Sequence, residues 1–244
     1  MIAIGPSTGW LYAKGINLTN QQEIIMQAAG ADGFEVCMYG WGKNDERIIS
    51  LRQENFNKKN FCYRSLHLPD VNDEEIERKI AITQEFTTLI GAVAALTHPL
   101  KVKGEYPLNA YERMIVNNIP LAVENMDKQK DSGYDLRELM RLTHFGLNFV
   151  LDVQHAYEHD SDMKYALDLF NSLRNKLVHF HVSGETESNN HSLLHKARNA
   201  KKIIDFLGTV LSIKKVPLIL EGEYRNADEL KQEIKFLRKE LVLV

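Results

Sequence analysis

At 244 residues, 44% hydrophobic and 26% charged, the chain has enough apolar material for a sizeable core and none of the bias of a disordered segment. A net charge of −3 gives no general attraction to nucleic acid, the apolar runs fall well short of the roughly 20 residues that span a bilayer, and two cysteines, Cys37 and Cys62, are too few for a disulfide framework. The start MIAIGPST lacks the basic flank and apolar stretch of a secretory signal, so a cytoplasmic protein with no membrane partner is expected.

In chain order, the first apolar β-rich run, 2–6, is followed by Trp10 and Tyr12, and the second, 33–38, carries Glu35 and is followed by Trp41. The third, 63–68, closes on Ser65-Leu66-His67-Leu68-Pro69 and leads into a helix over 75–90 opened by Asp73, Glu74 and Glu75. The fourth, 92–97, runs into Thr97-His98-Pro99. The connection from His98 to Pro120 is short, so the helix near 109–118 is expected to be stunted. The fifth run, 121–125, holds Glu124 and Asn125 and precedes a helix over 135–145. The sixth, 148–153, leads into Gln154 and His155, and the seventh, 177–182, carries His179 and His181. The eighth, 217–221, ends on Glu221-Gly222-Glu223 before a helix over 228–241 that Asn226 can cap.

Near-continuous apolar runs suit parallel strands buried on both faces, and the helices between them show apolar spacing of three and four. Eight such units exceed the five or six strands usual for a doubly wound sheet. They predict an α/β fold of the (β/α)8 barrel type, one domain over residues 1–244.

In such barrels the active site forms at the carboxyl ends of the strands, where six of the eight runs here close on a side chain able to bind metal. Singly, each reads as a polar strand terminus or a hydrogen-bonded core histidine. Together they would place several carboxylates and imidazoles at one mouth, and each unpaired buried charge costs several kcal/mol unless a cation offsets it. A mixed oxygen and nitrogen donor set suits manganese, magnesium, cobalt or zinc. Strand parity puts His179 and His181 on one face, and likewise Glu221 and Glu223. His181 and Glu221 are preferred because each lies nearest its strand end. His144, His159 and His195 read as solvated surface residues, whereas His191 stays open as a ligand.

The chain resembles the xylose-isomerase-like barrels, which include sugar isomerases and epimerases and endonuclease IV. Leu151-Asp152-Val153-Gln154-His155-Ala156 matches the family's Asp-x-x-His-Ala signature, Val123-Glu124-Asn125-Met126 resembles its strand-five motif, and the stretch from Ala29 to Glu35 is similar to its entry into strand two. The resemblance implies one divalent ion held by Glu124, Asp152, His181 and Glu221. Glu124 and Glu221 would be the acid and base and His155 would contact a substrate oxygen. Trp10, Tyr12, Glu35, Trp41 and His67 are taken as the remaining substrate contacts. The expected function is isomerisation or epimerisation of a small sugar, sugar phosphate or hydroxy-keto acid by proton transfer next to a carbonyl.

Two alternatives stand beside it. In the endonuclease IV branch, His67, His98, His155 and His191 would add further zinc ions and the partner would be abasic DNA. Asn189-Asn190-His191 lacks the carboxylate that branch needs, and no run of Lys or Arg lines the mouth. The other alternative is a non-catalytic barrel that binds a metabolite. A homo-oligomer is compatible with any of the three.

Overall fold

The computed structural model describes residues 2–13, 20–38, 40–43 and 60–241. Its eight strands are β1 (Ile4–Pro6), β2 (Gly33–Cys37), β3 (Tyr63–His67), β4 (Ala94–Thr97), β5 (Leu121–Glu124), β6 (Asn148–Asp152), β7 (Leu177–Val182) and β8 (Leu218–Leu220). They form one parallel sheet in the order β1-β8-β7-β6-β5-β4-β3-β2. The open ends meet through the parallel bridge Ser7↔Glu35 and the hydrogen bond from the Thr8 amide to the Glu35 carbonyl, 2.8 Å. The sheet is therefore a nearly closed (β/α)8 barrel, as the alternation of runs predicts.

The strands are shorter than the apolar runs. β1 begins at Ile4 rather than residue 2, β4 at Ala94 rather than 92, and β8 stops at Leu220, so Glu221 stands just beyond its strand. Residues flanking a ladder can be buried against the helices without pairing, so the hydrophobic pattern overruns the hydrogen-bonded strand. The described helices are α1 (Gly9–Ala13), α2 (Asn20–Ala29), α3 (Ile76–Ile90), α4 (Leu108–Val116), α5 (Leu136–Phe145), α6 (Val153–His159), α7 (Lys164–Leu173), α8 (Ala200–Ile213) and α9 (Ala227–Glu240). Among them none is long and apolar enough to cross a membrane.

α4 is short, as the tight connection requires. α6 was not expected: the apolar run through Val153 reads as strand, but the chain turns into helix directly after Asp152. Most of the core lies between the strands and the helices, with Phe34, Phe86, Phe149, Phe170 and Phe180 at or near zero exposure. Leu96, Ala122 and Val150 form a separate small cluster. Leu96 stands two residues before His98, Ala122 before Glu124 and Val150 before Asp152, so strand parity makes these residues the layer beneath the mouth.

α9 starts as its sequence demands. The Asn226 side chain accepts from the Glu229 amide at 3.0 Å, and the Glu229 carboxylate receives the Arg225 amide at 2.8 Å and Lys196 Nζ at 2.9 Å. The Arg225 hydrogen bonds, with help from Lys196 and against a smaller effect of burial, hold the Glu229 carboxyl at about 2. A carboxyl lowered from 4.5 adds stability that is fully present above its unfolded value and lost as pH falls through about 2. The parent is therefore expected to melt above Glu229→Gln near pH 6, and the gap should close as thermal scans descend from pH 4.5 toward 2. A constant gap would mean that this ionisation contributes nothing.

Candidate metal centre

Four side chains converge where strands end. Glu124 closes β5, Asp152 closes β6, His181 lies at the end of β7 and Glu221 follows β8, and one donor atom from each lies within 4.8 Å of the others. His181 Nδ1 is 3.1 Å from Glu124 Oε1 and 3.4 Å from Glu221 Oε2. Glu124, Asp152 and His181 are almost wholly buried, and Glu221 is 16% exposed.

Backbone locks hold these ends in place. Asn125 Nδ2 donates to the Asp152 carbonyl at 2.9 Å and its Oδ1 accepts from the Asp152 amide at 2.8 Å, tying β5 to β6 directly below the two carboxylates. The Trp10 indole donates to the Glu221 carbonyl at 2.7 Å and steadies the end of β8. Asp152 also caps α6, its Oδ1 accepting from the His155 amide at 2.7 Å. Its Oδ2 is buried with no hydrogen-bond partner among the described residues, as is Glu124 Oε2.

Imidazoles surround this set. His67 Nε2 is 3.6 Å from Glu124 Oε2, and the His98 ring meets His67 edge-on at 4.8 Å while its Nδ1 faces Asp70 at 3.3 Å. His155 Nδ1 contacts the Asn125 carbonyl at 2.9 Å and lies 3.5 Å from Glu124 Oε1. The His191 ring is 5.5 Å from His155, and its Nδ1 pairs with Ser183 Oγ at 3.2 Å.

Burial opposes charge on all these groups, and their neighbours decide the result. For Glu124 burial is outweighed by His181 and His67, so its carboxyl is held well below the usual range. Glu221 is pushed up, by burial first and by Glu124 and Asp152, against the pull of His181. His181 is raised well above the ordinary imidazole value because the surrounding carboxylates overcome its burial, and His67 and His155 reach about 9 in the same way. Among the described residues, the ionic partners of Glu35, Glu124, Asp152 and Glu221 are all imidazoles. Buried carboxylate oxygens without hydrogen-bond partners among the described residues, beside imidazole nitrogen, form a donor set that fits a divalent ion.

Glu35, expected as a substrate contact, lies one layer lower with no exposed surface. Its Oε2 accepts from Ser65 Oγ at 2.8 Å and lies 3.4 Å from His179 Nε2, and its Oε1 is 3.1 Å from His181 Nε2. Tyr63 Oη meets His179 Nδ1 at 2.7 Å. Tyr63 and Ser65 were not singled out in the sequence. The available signal was pairing, since β3 sets Ser65 directly beside Glu35.

The Trp41 indole donates to the Asp70 carbonyl at 3.0 Å, and Lys79 Nζ lies 5.7 Å from its ring. The Tyr12 side chain lies outside the described residues. His195 is not a solvated residue as expected: its side chain is 17% exposed and pairs with the buried Glu233, a contact between residues 38 apart. His159 likewise contacts the Met126 carbonyl at 3.0 Å, whereas His144 is exposed.

No protein-family model and no curated protein sequence matches the chain. Solved structures do. A D-tagatose 3-epimerase-like protein superposes with a TM-score of 0.73 at 14% identity, covering 100% of this chain and 98% of the other. An L-ribulose 3-epimerase gives 0.69 at 13% identity, covering 100% and 95%. At such identities the likeness is one of fold, and the chain shares the (β/α)8 barrel of these two structures.

Proposed function

We propose that the chain is a divalent-metal-dependent epimerase or isomerase of a small ketose, with Glu124, Asp152, His181 and Glu221 as the metal ligands. The observation that carries this reading is the convergence of those four donors within 4.8 Å at the carboxyl ends of consecutive strands. The epimerase activity named for both structural neighbours agrees with it. A bound divalent ion would polarise the substrate carbonyl and its neighbouring hydroxyl, which acidifies the C–H bond between them.

The protein's own groups do the rest. Glu124, held as a carboxylate, takes the proton from the carbon next to the carbonyl, and the C–H electron pair passes into an enediolate. Glu221 in its protonated form returns a proton to the same carbon from the other side, which inverts it, or to the neighbouring carbon while the hydroxyl proton passes to the former carbonyl oxygen, which moves the carbonyl. His155, with Nδ1 fixed by the Asn125 carbonyl, can offer its other ring nitrogen to a substrate oxygen. An unphosphorylated sugar fits best. The cleft between the loops after β7 and β8, where such barrels often hold phosphate, is lined by Lys196 and Arg225, whose charges are already paired with Glu229.

Loaded with Mn2+ and incubated in D2O, the protein is expected to introduce deuterium next to the carbonyl of D-tagatose or L-ribulose, read by NMR. EDTA should stop the exchange and added Mn2+ restore it. No exchange into these or other ketoses with the site filled would overturn the reading.

A further inference from the structure

A neutral imidazole offers one lone pair, and a nitrogen can bind a metal only if the ring proton sits on the other nitrogen. His181 turns Nδ1 toward Glu124 and Glu221, so as a ligand it must carry its proton on Nε2. The group facing Nε2 is Glu35 Oε1 at 3.1 Å, and both atoms are buried with no hydrogen-bond partner among the described residues, so each is free to take the other. Glu35 is itself held by the Ser65 hydroxyl beside it and lies 3.4 Å from Nε2 of His179, whose far side meets Tyr63.

Core packing does not account for this carboxylate. Glu35 has no exposed surface and, among the described residues, no Lys or Arg partner; an apolar side chain of similar size would avoid a desolvation cost of several kcal/mol. Parity on β2 and its register with Ser65 put Glu35 one layer beneath the mouth, where it can reach the back of His181 but not the space above the four donors. We propose that Glu35 is a positioning residue, which accepts the Nε2 proton of His181 and thereby presents the Nδ1 lone pair to a metal held with Glu124, Asp152 and Glu221. The inference rests on the metal reading above. Carboxylates placed behind a metal-bound histidine in this way typically strengthen metal binding roughly 10- to 100-fold.

The test is Zn2+ affinity of the full chain, measured by competition with a chromophoric chelator, for the parent and Glu35→Gln. The variant is expected to bind roughly 10- to 100-fold more weakly while still taking up one ion at saturation. A second readout, which a merely structural role would not move, is the 15N-edited proton spectrum of histidine-labelled Zn2+-loaded protein. His181 should show a protonated Nε2 in both, with its attached proton shifted far downfield by the Glu35 carboxylate in the parent and markedly less so in the variant. Equal affinity in parent and variant overturns the positioning role and leaves the metal reading standing. A parent that binds no divalent ion overturns both. Two ions in the parent and one in Glu35→Gln would make Glu35, with His179, a ligand of its own site and again overturn the proposal. If Glu35→Gln does not fold, Ser65→Ala, which frees Oε2 of Glu35, is read in the same assay, and unchanged affinity there counts against the role.

Discussion

Glu124→Gln is expected to lower turnover of a confirmed ketose by about 10²- to 10⁴-fold or more, while the chain still folds. Glutamine keeps the shape of the side chain, so the barrel wall is not disturbed. It removes the charge that His67, His155 and His181 face, at 3.6, 3.5 and 3.1 Å. Thermal stability should fall as well, because His67, His155 and His181 lose the carboxylate that raises them, although each imidazole can shed its proton and so limit the loss. Catalysis should collapse for two separable reasons. A neutral amide cannot take a proton from carbon, and it is a weaker metal ligand than a carboxylate. Assays at saturating Mn2+ isolate the first effect, and chelator titration measures the second. Parent-like turnover at full metal loading would remove Glu124 from the acid/base role.

The four strand-end residues were legible because a parallel strand buried on both faces reads as an unbroken apolar run. One carboxylate or imidazole closing such a run is an ordinary polar terminus, but several on successive strands of one barrel meet at the same mouth. Glu124, Asp152, His181 and Glu221 each stand at such a boundary, and the fold brings their donors together. Parity alone left His179 beside His181 and Glu223 beside Glu221. The structure separates them through partners that no local pattern carries: His179 reaches Tyr63, 116 residues away, and Glu223 bonds Asn189 across the loops at 3.2 Å.

Glu35 was misplaced for a related reason. Its distance from the chain's other acidic strand ends says nothing of depth, whereas its pairing with Ser65 sets it in the layer below. α6 escaped notice because Val153 extends the apolar run of β6, and what turns the chain there is the Asp152 carboxylate acting as a cap. His195 looked solvated because its partner, Glu233, lies on α9.

Gly5→Ala is expected to cost about 4 kcal/mol or more, enough to leave much of the chain unfolded if it has the usual stability of about 5–15 kcal/mol. β1 and β2 meet without a full ladder, joined by the Ser7↔Glu35 bridge and by backbone hydrogen bonds of 2.8 Å from Thr8 to Glu35 and from Asp32 to Ile4. A Cβ on Gly5 would stand 1.6 Å from the Gly33 carbonyl oxygen and 2.4 Å from its carbon. Overpacking costs about 1–3 kcal/mol where side chains can give way, but here the obstacle is backbone. Nor can β2 retreat freely, since β3 closes its other side and a Cβ on Gly33 would itself fall 2.7 Å from the Tyr63 carbonyl oxygen. Any displacement of β2 carries Glu35 away from the back of His181, so residual folded protein should also bind metal more weakly. Gly208→Ala is the control. It lies exposed within α8 with no atom within 4 Å of an added Cβ, and alanine there should raise stability by roughly 0.5–1 kcal/mol. Urea unfolding of the two variants beside the parent separates these opposite signs. A Gly5→Ala midpoint equal to the parent's would mean that the seam between β1 and β2 has slack, and that barrel closure does not depend on the close approach of the two glycines.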